Sequence, residues 1–177
     1  RVWVSIPTWA ERWRPFTLGK HVGFEWLPIP STLPSPAGDA VAATRHRLAP
    51  DGPLVGHLGT YGGPIRQALA VSLPALLSAE PRATVALLGD GGSGFRDSLL
   101  QAHPALAARI VAPGRQSRST LAEHVAACDV LVQPYPDGVS SRRTSAMAGL
   151  ALGVPVVTNA GPMTEPVWAE RRAVSLV

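Results

Sequence analysis

The sequence predicts an α/β fold in which a parallel β-sheet is covered by helices on both faces. Three observations carry that expectation. Short apolar runs recur from Leu54 onward, and helix-like stretches separate them. The runs are apolar throughout rather than alternating, which is the pattern of strands buried on both faces. Several end in glycine (LVGHLG, TVALLG, RIVAPG), where a strand gives way to the next element. Together they describe a Rossmann-like, doubly wound parallel sheet.

The elements follow in order. RVWVSI at the start reads as a strand. After it comes a stretch holding Trp9, Trp13 and Trp26, and then LPIPSTLPSP. Prolines at 28, 30, 34 and 36 remove backbone donors and hold the chain extended, which is linker chemistry. A domain boundary is placed there, dividing residues 1–36 from 37–177. Leu54 to Gly59 is the first strand of the larger part. A helix from Pro64 to Ser78 follows, with Pro64 suited to its first turn and Pro74 expected to kink it. Thr84 to Gly89 is the next strand, Phe95 to Ala102 a helix, and Arg109 to Gly114 a third strand. Thr120 and Glu123 have capping-box spacing ahead of a helix running to Ala127. Asp129 to Tyr135 is a fourth strand. SSRRTSAMAGLALG is a helix closed by Gly153, VPVVT a fifth strand, Pro162 to Glu170 a short helix, and AVSLV a sixth strand.

Composition bounds the function. The chain has 177 residues, of which 46% are apolar, enough for a sizeable core. Sixteen basic against twelve acidic side chains give a charge of +4, and every basic residue except Lys20 is arginine. The charges are scattered, so no nucleic-acid-binding arm is expected. The single cysteine, Cys128, excludes an internal disulfide framework and a multi-cysteine zinc site, and reads as a small buried hydrophobe. No apolar run reaches a membrane span of about 18–20 residues, so no transmembrane segment is expected; a cytoplasmic or membrane-peripheral setting is. The chain starts at Arg1 and stops at Val177 within a strand-like run, so it reads as part of a longer protein.

In an open α/β sheet, ligands bind beyond the carboxyl ends of the strands. After the first strand comes Gly59-Thr60-Tyr61-Gly62-Gly63. Glycines there let the backbone approach a ligand, and the helix beginning at Pro64 offers free N–H groups to phosphate. The same glycines suit a plain tight turn. After the second strand, Gly89, Gly91 and Gly94 meet G-x-G-x-x-G spacing. The loop follows the second strand rather than the first, and residues 109–115 hold no acidic partner for a ribose, so a nicotinamide site is rejected. Ser93 lacks the flanking glycines of a nucleophile elbow. His57, His103 and His124 have no carboxylate at metal-motif spacing and read as structural. The densest polar group follows the fourth strand: Asp137, Gly138, Val139, Ser140, Ser141, Arg142, Arg143 and Thr144. Ser140 or Ser141 is suited to cap the helix. Arginines at a helix N-terminus oppose its dipole and call for an anion, so a phosphate site is expected.

The stretches VGHLGTYGG, VALLGDGG, RIVAPG, LAEHVAACDVLVQPY and MAGLALGVPVVTNAGPMTEPVW arrive in an order that resembles the nucleotide-sugar-binding half of GT-B glycosyltransferases, specifically the retaining group 1 family. The likeness covers about residues 54–177. It implies one half of a GT-B fold, with residues 1–36 closing an acceptor-side domain and crossing to the donor domain. It implies a nucleoside diphosphate sugar as substrate and an unknown acceptor; no cofactor is expected, and no metal, since no carboxylate cluster suits Mg²⁺. The donor contacts it implies fall on Gly59, Thr60, Tyr61, Gly62, Gly89, Gly114, Arg115, residues 137–144 and Glu165. Counting back from Gly153, the family's paired glutamates fall on Ser140 and Ala148. The basic phosphate pair usual after the first strand is missing from GTYGGPI, and Arg142 and Arg143 are expected to replace it. Catalytic residues are not identified. Two rival readings stay open: a nucleotide-binding or interaction domain that has lost activity, and a sugar-nucleotide epimerase. The second needs an acid and base pair that the sequence does not display.

Overall fold

The computed structural model describes residues 1–18 and 21–177; Lys20 lies outside them. In chain order the strands are β1 (Val2–Val4), β2 (Phe24–Trp26), β3 (Leu54–Leu58), β4 (Thr84–Leu88), β5 (Ile110–Gly114), β6 (Val130–Gln133), β7 (Val156–Thr158) and β8 (Ser175–Leu176). The helices are α1 (Pro7–Trp13), α2 (Gly38–Leu48), α3 (Gly63–Ala79), α4 (Gly92–Ala102), α5 (Arg118–Ala126), α6 (Thr144–Ala151) and α7 (Val167–Glu170).

Strands β3 to β8 form one sheet in the order β5-β4-β3-β6-β7-β8, parallel throughout. The chain winds outward from β3 to β5, returns, and winds the other way from β6 to β8. The reversal lies between β3 and β6, and there the loops leaving the strand ends diverge and open a crevice.

Burial explains the uniformly apolar strands. Leu54, Ala86, Leu88 and Leu131 pack into a cluster with Val125, Val139, Val156 and Trp168. Their alternates Val55, Val85, Leu87 and Ile110 pack with Leu69, Leu73, Leu77, Phe95 and Leu99. Each strand thus feeds two cores, one per face. Cys128 belongs to the first cluster, close enough that a Cβ on Gly56 would stand 2.6 Å from its sulfur.

Several local expectations change. Helix α2, not read from the sequence, occupies the stretch before β3. Its signals are Asp39 in the first turn and Arg45, His46 and Arg47 in the last, which match the helix dipole. Arg45 also holds the carbonyls of Ala49 and Gly52 (2.7 Å to the latter) and the Asp129 carboxylate at 3.0 Å. Asp129 in turn accepts from the Leu54 amide at 2.7 Å, tying α2 to the start of β3. Helix α3 runs from Gly63 to Ala79 with Pro74 inside it, one residue beyond the expected end at Ser78. Helix α5 starts earlier than the Thr120–Glu123 spacing indicates. Ser117 is the cap, its hydroxyl accepting from the Thr120 amide at 3.1 Å, so the paired residues lie inside the helix.

Strands β1 and β2 form a separate parallel pair with α1 between them. No regular secondary structure follows from Leu27 to Ala37. This N-terminal segment is hydrogen-bonded to the loop between β6 and α6: the Ile29 amide donates to the Ser141 carbonyl at 3.0 Å, and the Trp26 indole donates to the Ser141 hydroxyl at 3.0 Å.

Candidate functional site

A cleft of about 450 Å³ opens at the carboxyl ends of β3 and β6, where the strand order reverses. His57, Gly59, Thr60 and Gly89 form one wall, and Gln133, Tyr135, Arg142, Arg143, Thr144 and Ala148 form the other. Ser31, Thr32 and Leu33 of the Pro-rich segment border it as well. The sequence marked that segment only as a linker; its place at the cleft comes from the path of the folded chain.

The glycine wall depends on missing side chains. Gly59 donates its amide to the Leu88 carbonyl at 3.0 Å. Gly89 has a φ of +102°, and a Cβ there would run into the Gly59 carbonyl. Tyr61 turns away from the cleft: it is buried, stacks on Phe95 at 5.5 Å, and places its hydroxyl 3.1 Å from the Leu88 carbonyl. Burial pushes its phenol pKa up. Gly62 occupies the position ahead of α3 and does not border the cleft. Gly114 and Arg115 also stand off it. Arg115 reaches Asp90 at 3.0 Å in an exposed pair, which holds the Asp90 carboxyl below its usual range.

The arginine loop is organised around Asp137. Arg142 donates to Asp137 Oδ2 at 2.6 Å, and Arg143 pairs with Oδ1. The carboxylate is therefore committed to the two guanidiniums. One carboxylate against two guanidiniums leaves a positive charge uncompensated. The Arg142 guanidinium lies over Trp9 at 5.6 Å and that of Arg143 over Tyr135 at 4.6 Å. Both Nε atoms are buried without a hydrogen-bond partner. Burial lowers the Arg143 pKa. Thr144 opens α6 beside them.

Other members of the loop serve the scaffold. Ser140 and Ser141 do not cap α6; its cap position falls on Arg143, with no side-chain cap bond, because the serines are drawn inward. Val139 is fully buried, and Ser140 is buried with its hydroxyl unpartnered. Gly138 has a φ of +83° and packs against Gly161 and Thr164. Glu165 is buried outside the cleft lining. Its carboxylate accepts from the Ser141 amide at 3.0 and 3.1 Å, from the Ser141 hydroxyl, and from the Trp168 indole at 2.7 Å. It is the strut under the arginine loop.

Gln133 and His57 are among the cleft residues that sequence reasoning missed. Gln133 is fully buried, and its amide, with nitrogen toward the Leu58 carbonyl at 3.2 Å and oxygen toward the Leu58 amide at 2.9 Å, ties β6 to β3. His57 lies beside it, with Nδ1 2.8 Å from the Val132 carbonyl and Nε2 without a partner. Burial lowers its pKa to about 4. Only its position at the end of a strand entering the crevice hinted at the site.

No protein-family model matches the chain, and no curated protein sequence does. Solved structures match its shape. HepE from Anabaena, in complex with UDP and glucose, aligns over 91% of this chain at 21% identity with a TM-score of 0.61. Sucrose-phosphate synthase from Thermosynechococcus elongatus aligns over 99% of it at 22% identity with a TM-score of 0.72. The fold is one half of a GT-B fold. This chain spans 45% of the first protein and 44% of the second. The C-terminal CMP-Kdo binding domain of WaaA from Acinetobacter baumannii aligns over 78% of the chain and 80% of that domain, at 13% identity and a TM-score of 0.55. In the GT-B half described here, no helix among the described residues is long and apolar enough to cross a membrane. No group of three or more metal-ligating side chains stands together among those residues.

Proposed function

We propose that this chain is the C-terminal donor-binding domain of a retaining GT-B glycosyltransferase of the group 1 kind, and that it holds a nucleoside diphosphate sugar. The observation that carries the reading is the pair Arg142 and Arg143 on the cleft wall, with an uncompensated charge and two unpartnered Nε donors. Guanidinium groups of this kind pair with phosphate oxygens. The amino end of α6 at Thr144 adds its dipole. In the proposed complex the diphosphate sits between these groups and the bare backbone of Gly59, Thr60 and Gly89. Asp137 keeps both guanidiniums in place, and Gly114 and Arg115 lie toward the base. As the glycosyl bond breaks, charge grows on the departing diphosphate, and the fixed arginines stabilise it. In this reading the counter-charge comes from guanidinium rather than from a metal ion.

Residues 1–36 are proposed to be the end of the acceptor-side domain with its linker, and residues 37–177 the donor domain. Transfer needs the acceptor side to close over the cleft, so this chain by itself binds donor without transferring sugar. The related HepE structures contain UDP and UDP-glucose, which fits the ligand class.

One observation favours the rival of a binding domain without activity. The positions of the family's paired glutamates carry Ser140, which is buried, and Ala148, which is an apolar part of the cleft wall. Transfer from a panel of donors by a protein containing both halves separates the two readings. The donor site itself is tested by calorimetric titration of UDP, GDP and ADP into the chain and into the Arg142→Ala/Arg143→Ala variant. Loss of two charge-assisted contacts predicts a fall of roughly tenfold or more. Equal affinity in the variant would remove the phosphate role.

A further inference from the structure

We infer that His57 is a ligand-reading residue: its Nε2 accepts a hydrogen bond from a hydroxyl of the molecule bound in the cleft. The inference rests on the proposed nucleotide-sugar reading and adds a second recognition point to it, opposite in character to the arginines.

The geometry defines the imidazole's state. His57 is 1% exposed, in β3. Its Nδ1 lies 2.8 Å from the Val132 carbonyl, which only accepts, so Nδ1 carries the proton and donates. Burial keeps the ring neutral at pH 7. The remaining nitrogen, Nε2, is therefore a bare lone pair. No group of the protein reaches it, and buried polar atoms of this kind are ordinarily paired.

The nitrogen is buried at the glycine wall of the cleft, with no partner of its own. His57 borders the cleft, and the residue beside its Nε2 is Gly59. A Cβ at Gly59 would stand 2.8 Å from Nε2, and outside residues 58–60 the three atoms nearest that position all belong to the His57 ring, at 2.8, 3.6 and 3.7 Å. Any larger residue at 59 would cover the nitrogen. The carboxylates near the cleft are occupied, Asp90 by Arg115 and Asp137 by Arg142 and Arg143. Tyr61 meets the imidazole edge-on at 5.1 Å and sends its hydroxyl to backbone carbonyls.

This polarises the cleft chemically. Arginines donate only, so they take phosphate oxygens. A bare imidazole nitrogen accepts only, so it repels a phosphate oxygen and takes O–H or N–H. A nucleoside diphosphate sugar presents both, acceptors along its diphosphate and donors on its sugar rings.

The test uses two variants and three probes. His57→Asn keeps an amide donor near the Val132 carbonyl and deletes the acceptor. His57→Gln extends an amide toward the Nε2 position. Each is titrated with inorganic pyrophosphate, UDP and UDP-glucose. His57→Asn should lose about three- to tenfold in affinity for a hydroxyl-bearing probe, keep its pyrophosphate affinity, and be partly rescued by glutamine. A loss already present with UDP assigns the ribose, and a loss confined to UDP-glucose assigns the hexose. In the wild-type protein, the ¹⁵N resonance of Nε2 should move with the same probe and stay still with pyrophosphate, a readout that needs no variant to fold. Arginine-dependent nucleotide binding with an unmoved Nε2 signal would overturn the inference and leave the donor reading standing. A signal that pyrophosphate drives toward the protonated form would overturn it too. Absence of any nucleotide binding would end both readings together.

Discussion

Replacing Glu165 by alanine tests whether a buried carboxylate holds the arginine loop in place. In the folded protein the carboxylate receives the Ser141 amide (3.0 and 3.1 Å), the Ser141 hydroxyl and the Trp168 indole (2.7 Å). The hydroxyl has a second acceptor in the Ser5 carbonyl at 2.6 Å and can turn to it. The amide and the indole have no such alternative, so alanine leaves two buried donors unpaired. Each costs about 1–3 kcal/mol, giving a loss on the order of 4 kcal/mol. With a urea m-value of about 2 kcal/mol/M, the unfolding midpoint drops by roughly 2 M. Equilibrium urea denaturation followed by tryptophan fluorescence reads this directly, since Trp168 touches the carboxylate and Trp26 touches Ser141. Glu165→Gln keeps one acceptor and should fall between the two. An alanine variant with a wild-type midpoint would refute the strut. A glutamine variant that folds normally but loses UDP affinity as severely as the double arginine variant would place Glu165 among the ligand contacts instead.

Two further outcomes follow from the same geometry. Gly138→Ala should destabilise by about 3 kcal/mol, roughly 6–12 °C in Tm, because its φ of +83° disfavours a side chain and a Cβ would strike Gly161 and Thr164; differential scanning calorimetry checks it. His57 gives the stability a pH slope. Its pKa is about 4 folded against 6.5 unfolded, so between those values the unfolded chain binds the extra proton and stability falls as the pH falls. Wild type should lose about 2 kcal/mol from this group between pH 7 and pH 5, a slope that His57→Gln removes in urea titrations at the two pH values.

The architecture was legible because it is written in local patterns. Apolar runs such as TVALLG and VPVVT need no distant partner to be recognised as strands buried on two faces, and their alternation with helices restricts the sheet to a parallel, doubly wound form. The loop at 137–144 was also visible, since a polar cluster between a strand and a helix stands out against an apolar chain. The roles within it were not. Ser140 and Ser141 have the chemistry of caps, yet the fold draws both into the interior, and the helix begins at Thr144 behind an uncapped Arg143.

Partners far apart in the chain account for the difference. Glu165 looks like a first-turn carboxylate until the fold brings Ser141 to it from 24 residues away. His57 looks like a structural histidine, and its Nδ1 is one, bonded across 75 residues to Val132; only the fold sets Gly59 beside the other nitrogen and leaves it without a partner at the cleft wall. Trp26 reaches Ser141 across 115 residues, bringing the N-terminal segment onto the site loop. Burial and periodicity act through neighbours a few residues away, so the chain carries them in plain order. Hydrogen bonds are made within about 3 Å and in particular directions, and which atoms come that close is settled only when the sheet has closed on its helices.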